Sequence, residues 1–396
     1  MNEIPYYAFA EINHELYFSA LRFNGLFKIN LCSHDITYIG RVKKEKVERD
    51  LHRFAYVHKD CIYFFPGNGE HIVKLQLSTQ EISSIELPQT GCYGNEYKFS
   101  AIVSVENAVW MIPGNYNALL KFDLDNEQIE KFDNWPSKMN IKYKNLIWFV
   151  AGCCVEHYLC MCPYESDYFV VFDMESRKMH LWEWDYQRHA FSAMLLHKDV
   201  LWFIPERDYP YIVGYSLKTR EKYYIETGEY VEENVRSLHD EATAVGDYVV
   251  LTPFETNDWV VLDTRTHKIE KRKVSKGGWS EKFIYPMYDC IKQISDGLIV
   301  TSLYHEYALF VNLNNGEVKE VRAFMNDRIN IQVLKDALSQ GGFYSKRQTK
   351  GDILNERVWG LSNYLHALCL CSDENDLCTE KNSYGAIIYE QIVKML

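Results

Sequence analysis

The chain has 396 residues, of which 47% are apolar, enough to bury a large core and too many for wholesale disorder. Its net charge of −12 works against a nucleic-acid partner, because binding to DNA or RNA depends on Lys and Arg neutralising phosphates. Residues 1–10 lack the basic and apolar regions of a secretory signal, and no long uninterrupted apolar run is present, so neither secretion nor a membrane span is expected. Eleven cysteines without a signal point to free thiols in a reducing, cytoplasmic compartment.

In chain order, one apolar run recurs: Leu16-Tyr17-Phe18, Ile62-Tyr63-Phe64, Val109-Trp110-Met111, Leu159-Cys160-Met161, Leu201-Trp202-Phe203, Val249-Val250-Leu251 and Leu298-Ile299-Val300. The central residues are spaced by 46, 47, 50, 42, 48 and 49. A period of this size is the mark of a repeat architecture. Three residues beyond the centre stand Pro66, Pro113, Pro163, Pro205 and Pro253, with Ala20 and Ser302 in the end copies. Proline cannot donate to a strand ladder, so it marks a strand end. A polar turn precedes each run, as in Lys59-Asp60, Glu106-Asn107 and Lys198-Asp199.

About thirteen residues after the centre comes a small polar residue followed, in most copies, by an apolar one: Asn30-Leu31, Gln76-Leu77, Asp123-Leu124, Asp173-Met174, Ser216-Leu217, Asp263-Thr264 and Asn312-Leu313. Each closes a second apolar segment. A polar turn and a third segment follow, and a further segment precedes the run, as in residues 99–105 and 191–196. Each unit therefore predicts four short antiparallel strands, and seven such units predict an all-β, seven-bladed β-propeller. The predicted blades are 5–50, 51–97, 98–145, 146–188, 189–238, 239–287 and 288–334. The basic stretch Arg41–Arg49 reads as a solvated loop.

In period and strand pattern, residues 5–325 resemble the kelch-like and WD40-like propeller superfamily. The resemblance is to a fold. The kelch double glycine and the repeated Gly-His and Trp-Asp pairs are missing, and Trp184-Asp185 occurs once and out of place. After the repeats, Ile353, Leu354, Val358, Leu361, Leu365 and Leu368 follow a helical period, as do Ile387, Ile388, Ile392 and Leu396. Residues 335–396 are thus expected to form a helical C-terminal appendage, available for packing on the propeller or for oligomerisation.

In a four-stranded blade, the entry to strand one and the loop between strands two and three share one side. Here those loops are the longer and chemically varied ones, and loops on a rigid scaffold carry function disproportionately. The entries supply His52, Arg53, Tyr97, Lys98, Arg188, His189, His239, Asp240 and Asp289. The loops after the anchors supply Asn24, Asn68, His71, Asn115, Glu165, Arg207, Glu255, His305 and Glu306. The expected ligand-binding set is His52, Arg53, Lys98, Glu165, Arg188, His189, Arg207, His239, Asp240, Glu255, Asp289 and His305, ringing one mouth of the channel.

A protein, peptide or glycan partner fits this mixed chemistry. A lyase or hydrolase at the same mouth is the enzymatic alternative, with His239-Asp240 or His305-Glu306 as acid–base pairs. A purely structural role is the third reading.

No cofactor is expected: phosphate-cradle motifs and a G-x-S-x-G elbow are absent from the sequence. The groups Cys153, Cys154, His157, Cys160, Cys162 and His366, Cys369, Cys371, Cys378 lack the C-x2-C pairs of structural zinc, so no metal is expected, and buried cysteine packs as a small hydrophobe. The aromatic anchors read as core, while Trp182 and Trp184, alternating on an outer strand, are candidates for a partner surface.

Overall fold

The computed structural model describes residues 6–21, 23–45, 50–89, 97–136, 149–163, 168–183, 191–205, 211–227, 239–253, 258–273, 288–295, 297–302, 307–312, 317–323, 329, 332–333 and 336. Of His239, Asp240 and Asp289 it describes the backbone alone. The helices expected over 335–396 fall outside the described residues except for Asp336.

Seven sheets form from the described residues, each of four antiparallel strands in sequence order. The first holds β1 (Tyr6–Ile12), β2 (Glu15–Ala20), β3 (Gly25–Asn30) and β4 (Ile36–Arg41), and the second β5 (His52–His58), β6 (Cys61–Pro66), β7 (His71–Gln76) and β8 (Ile82–Glu86). The third holds β9 (Phe99–Val105), β10 (Ala108–Pro113), β11 (Leu119–Asp123) and β12 (Ile129–Phe132). The fourth holds β13 (Phe149–Val155), β14 (Tyr158–Pro163), β15 (Tyr168–Asp173) and β16 (Lys178–Glu183). The fifth comprises β17 (Phe191–His197), β18 (Val200–Pro205), β19 (Tyr211–Ser216) and β20 (Lys222–Glu226). The sixth comprises β21 (His239–Val245), β22 (Tyr248–Pro253), β23 (Asp258–Asp263) and β24 (Lys268–Lys273). The last comprises β25 (Tyr288–Ile294), β26 (Gly297–Ser302), β27 (Tyr307–Asn312) and β28 (Val318–Arg322). This is a seven-bladed β-propeller of four-stranded blades.

The chain divides into two compact units, residues 1–86, 302–310 and 319–396 in one, 87–301 and 311–318 in the other. Within the first, β1 packs against β5. Within the second, β9, β13, β17, β21 and β25 pack in succession.

The anchors become the second strands, and burial on both faces explains why they read as continuous apolar runs rather than alternating ones. All six residues of β6 and of β10 are buried. The cores lie between neighbouring sheets. One joins Ala8, Tyr17 and Leu26 to Ile62, Phe64 and Leu75, and another joins Phe169 and Cys162 to Phe191, Leu201 and Phe203. Trp182, expected as a partner surface, is half-buried in the second of these, its ring 5.9 Å from Phe169 and 5.2 Å from Tyr215. Outer strands are half exposed and carry charge, as in Lys268–Lys273, which discourages edge-to-edge pairing.

The proline stop has a local cause. Pro66, Pro113, Pro163 and Pro205 each sit opposite the first residue of the preceding strand (His52, Phe99, Phe149, Phe191), just after a break in register. A bulge is where a ladder tolerates a residue without an N–H.

The small polar residue after each anchor is a turn cap. Asn30, Asp123, Asp173 and Asp263 each accept two backbone N–H bonds through the side chain, from the second and third residues beyond, at 2.8–3.2 Å. Their carbonyls, with those of Gln76 and Ser216, close a five-residue turn by accepting from His34, Glu127, Arg177, His267, Gln80 and Arg220. Those six donors all lie in the left-handed region, at φ 57–63°. The next residue's N–H then bonds back to the hairpin turn before the anchor: Leu31 to His14, Leu77 to Asp60, Leu124 to Asn107, Met174 to His157, Leu217 to Asp199 and Thr264 to Asp247. One backbone position at one offset thus joins three strands of a blade in register.

Asp123→Ala removes two of these turn bonds and is expected to lower unfolding free energy by about 1 kcal/mol, the usual worth of such a cap. Asp123→Asn, which keeps an acceptor oxygen, is expected to stay within a few tenths of wild type. Urea denaturation of the two variants measures both.

Candidate functional site

On the side expected to carry function, the loop after the second strand is zipped to the chain entering the first. In the second sheet, Gly67 and Gly69 donate to the Leu51 carbonyl at 2.9 Å, and Asn68 donates to that of Asp50 at 2.8 Å. The third sheet repeats the motif: Gly114 donates to the Lys98 carbonyl and Asn115 to that of Tyr97, both at 2.8 Å. The shared Pro-Gly-Asn sequence follows from this pairing. Proline ends the ladder, and glycine lets the backbones approach. A Cβ on Gly114 would stand 2.7 Å from the Tyr97 oxygen, and in the second sheet the glycine this close is Gly69, just past the shared motif, where a Cβ would stand 2.7 Å from the Leu51 oxygen. Tyr116 then folds back, its ring 4.8 Å from Phe99 and its hydroxyl donating to the Pro88 carbonyl.

In the first unit this side holds a buried polar cluster. His52, the first residue of β5, is 1% exposed. Its Nδ1 is 2.9 Å from the Ser19 hydroxyl, its ring meets Phe64 edge-on, and among the described residues its Nε2 has no hydrogen-bond partner. His71, the first residue of β7, places Nδ1 3.2 Å from Glu45 Oε2. The same carboxylate oxygen accepts the backbone N–H groups of Glu70 and His71 at 2.9 and 3.0 Å, and the Glu45 side chain is wholly buried. Asn24 donates from Nδ2 to the Val42 carbonyl at 2.9 Å and to that of Glu45 at 3.4 Å. Glu45 therefore corrects the reading of Arg41–Arg49 as solvated throughout. Its neighbours Lys43 and Lys44 mask it in the sequence, and only the backbone donors that converge on it reveal its role.

Of the expected ligand-binding set, the structure describes the side chains of His52, Arg53 and Lys98. His52 lies inside the buried cluster, while Arg53 sits over the Phe54 ring at 5.7 Å. Lys98 joins through its backbone to the Gly114 turn of the second unit. His239, Asp240 and Asp289 begin β21 and β25, at the strand entries expected for them, and their side chains lie outside the description. Glu165, Arg188, His189, Arg207, Glu255, His305 and Glu306 fall outside the described residues, as do Trp184, His366, Cys369, Cys371 and Cys378. Among the described residues no group of three or more His, Cys, Asp or Glu side chains is arranged to hold a metal ion, and no helix is long and apolar enough to cross a membrane.

No family model matches the chain, and no curated protein matches it in sequence. Solved structures match it in fold. Virginiamycin B lyase from Staphylococcus aureus is 14% identical with a TM-score of 0.55, over 76% of this chain and 94% of that one. A streptogramin B lyase is 15% identical with a TM-score of 0.55, over 76% and 92%. A catalytically inactive form of the S. aureus lyase with quinupristin is 15% identical with a TM-score of 0.54, over 76% and 94%. At these identities the likeness is one of fold.

The two histidines of the buried cluster differ chemically. Burial, with the imidazole of His71 nearby, pushes the His52 pKa down to about 3, so His52 is neutral at physiological pH. His71 instead has a carboxylate on Nδ1, the arrangement that orients an imidazole. The linkage sign for His52 is that of a folded pKa below the unfolded value near 6.5: the unfolded chain binds the proton first. Its contribution to stability is complete above about pH 6.5 and is lost as the pH falls toward about 3. Urea midpoints compared between about pH 7.5 and about pH 5 are expected to drop more for wild type than for His52→Gln.

Proposed function

We propose that this chain is a non-enzymatic binding propeller whose strand-entry and second-to-third-strand loops hold a peptide segment of a protein partner. The observation that carries the reading is how the described polar groups on this side are engaged. His52 is bonded to Ser19 and held neutral, Glu45 is saturated by two backbone donors and an imidazole, and the Pro-Gly-Asn backbones are zipped to the strand entries. Such groups make a rigid frame, and a rigid frame is what lets varied loops recognise a partner at low ordering cost. The one-off loop residues Glu165, Arg188, His189, Arg207, Glu255 and His305 supply the specificity in this reading. The absence of a shared sequence motif among them suits recognition better than a repeated chemistry. A cytoplasmic setting belongs to the same proposal, and the seven described cysteines, all free thiols, support it.

The test is selection from a displayed random-peptide library, with affinities of the selected peptides then measured for wild type and for His189→Ala/Arg207→Ala/His305→Ala. The triple variant is expected to bind at least about tenfold more weakly, about 1.4 kcal/mol. A control carrying Lys131→Ala, Lys178→Ala and Lys268→Ala on exposed outer strands is expected to bind as wild type. Equal affinity in both variants would reject the assignment of this side, and a glycan array serves as the arm for a carbohydrate ligand.

One observation favours a second reading. The His71–Glu45 pair has the geometry of a general base and its orienting carboxylate, and solved structures similar to this chain in fold include lyases. Incubation with virginiamycin B followed by mass spectrometry tests it directly. On the binding-protein reading the compound is recovered intact. Consumption that disappears in His71→Ala would establish the enzymatic reading instead.

A further inference from the structure

Cysteines cluster on one hairpin of the fourth sheet, away from the polar loops. β13 and β14 pair across the two-residue turn Glu156-His157, in a register that sets Cys153 directly opposite Cys160. The remaining two thiols of the hairpin face other residues: Cys154 is opposite Leu159, and Cys162 is opposite Ala151. Residues directly opposite on antiparallel strands have Cα atoms roughly 4.5–5.5 Å apart. A disulfide spans Cα separations of roughly 4.4–6.8 Å, so the separation of this pair falls within the range a bridge takes.

The two residues face each other across the hairpin in one core cluster, and both cysteines are free. They are 8% and 7% exposed, whereas Cys162 on the same face is 1% exposed and closed in by the core of Phe169, Phe191 and Phe203. A small oxidant therefore meets the opposed pair before it meets Cys162.

We propose that Cys153 and Cys160 form a dithiol site that hydroperoxide converts into a cross-strand disulfide. The Cys160 sulfur attacks one peroxide oxygen: an S–O bond forms, the O–O bond breaks and water leaves, giving a sulfenic acid at Cys160. The Cys153 thiol then attacks that sulfur. The S–S bond forms, the S–O bond breaks, and a second water carries away the remaining proton and oxygen. Two thiols lose two electrons in all, and the peroxide gains them.

The order follows from the local environment. The neighbouring Cys153 thiol lowers the Cys160 pKa, while Cys160 and burial raise that of Cys153, so Cys160 is the thiol that ionises first. The adjacent pair Cys153-Cys154 is no competitor, because successive strand residues point to opposite faces.

The hairpin can be mapped directly. Folded protein, purified in reductant, is treated with a small excess of hydrogen peroxide, blocked with N-ethylmaleimide and cut without reduction by a Glu-specific protease. Cleavage after Glu156 separates Cys153 and Cys154 from Cys160 and Cys162. The expected result is a linked pair of fragments, two hydrogens lighter than their sum, with the link placed by fragmentation between Cys153 and Cys160.

Cys154→Ala and Cys162→Ala are expected to keep the link, and Cys153→Ala and Cys160→Ala to lose it. Should an alanine variant fail to fold, the wild-type fragment map decides alone. The proposal is overturned if all four thiols stay alkylatable, if the link runs through Cys154 or Cys162, or if Cys160 proceeds to the sulfinic acid without a link.

Discussion

The fold depends on one backbone hydrogen bond made six times among the described residues: the N–H just past the third strand reaches the carbonyl at the tip of the first hairpin. A two-sided apolar strand such as Ile62-Tyr63-Phe64 has little in its own side chains to specify register, since every position is buried whichever way it slips. The bond from Leu77 to Asp60, or from Leu124 to Asn107, supplies what the apolar strand cannot. It ties the outer turn to the inner one and sets the offset of everything between.

This constraint also accounts for residue choices that look arbitrary when taken singly. Asn, Asp or Ser recurs at the third-strand end because a short oxygen-bearing side chain can cap the turn that follows. Gln76 is too long for that role and turns instead to Asp60 and Cys61, while its carbonyl still accepts from Gln80. At the opposite sheet end, Pro-Gly-Asn does comparable work in the second and third sheets. The result is a blade pinned at both ends, with its loops displayed from fixed positions. The thiol pair at Cys153 and Cys160 is a product of the same register: a slip of one residue would separate the two sulfurs onto different faces.

Much of this architecture was legible in the residues. The apolar anchors, the proline stops and the polar-apolar pairs sit at fixed offsets because each serves a local backbone need, and local needs leave marks in sequence. The buried cluster was legible only in part. His52 and His71 stand out as polar residues beginning strands, and a structural hydrogen bond is what His52 makes. Glu45 was hidden among lysines, and Trp182 looked exposed because its outer strand alternates. Neither could be read correctly, since Glu45 is buried by residues 24 to 26 positions away and Trp182 by Tyr215 of the next sheet.

The residue pattern was enough for the fold class, the number of repeats and the four-strand plan of each, with the second strands located by their apolar anchors. Those properties follow from strand periodicity and turn chemistry, which act over a few residues. Tertiary structure alone decided which polar groups are consumed by the frame: His52 by Ser19, Glu45 by the 69–71 turn, and Asn24 by the chain leaving the first sheet. It also decided which cysteines meet. Burial and hydrogen bonding at those positions come from segments distant in the chain, and their effect on a side chain's charge and reactivity exists only once the segments are packed together.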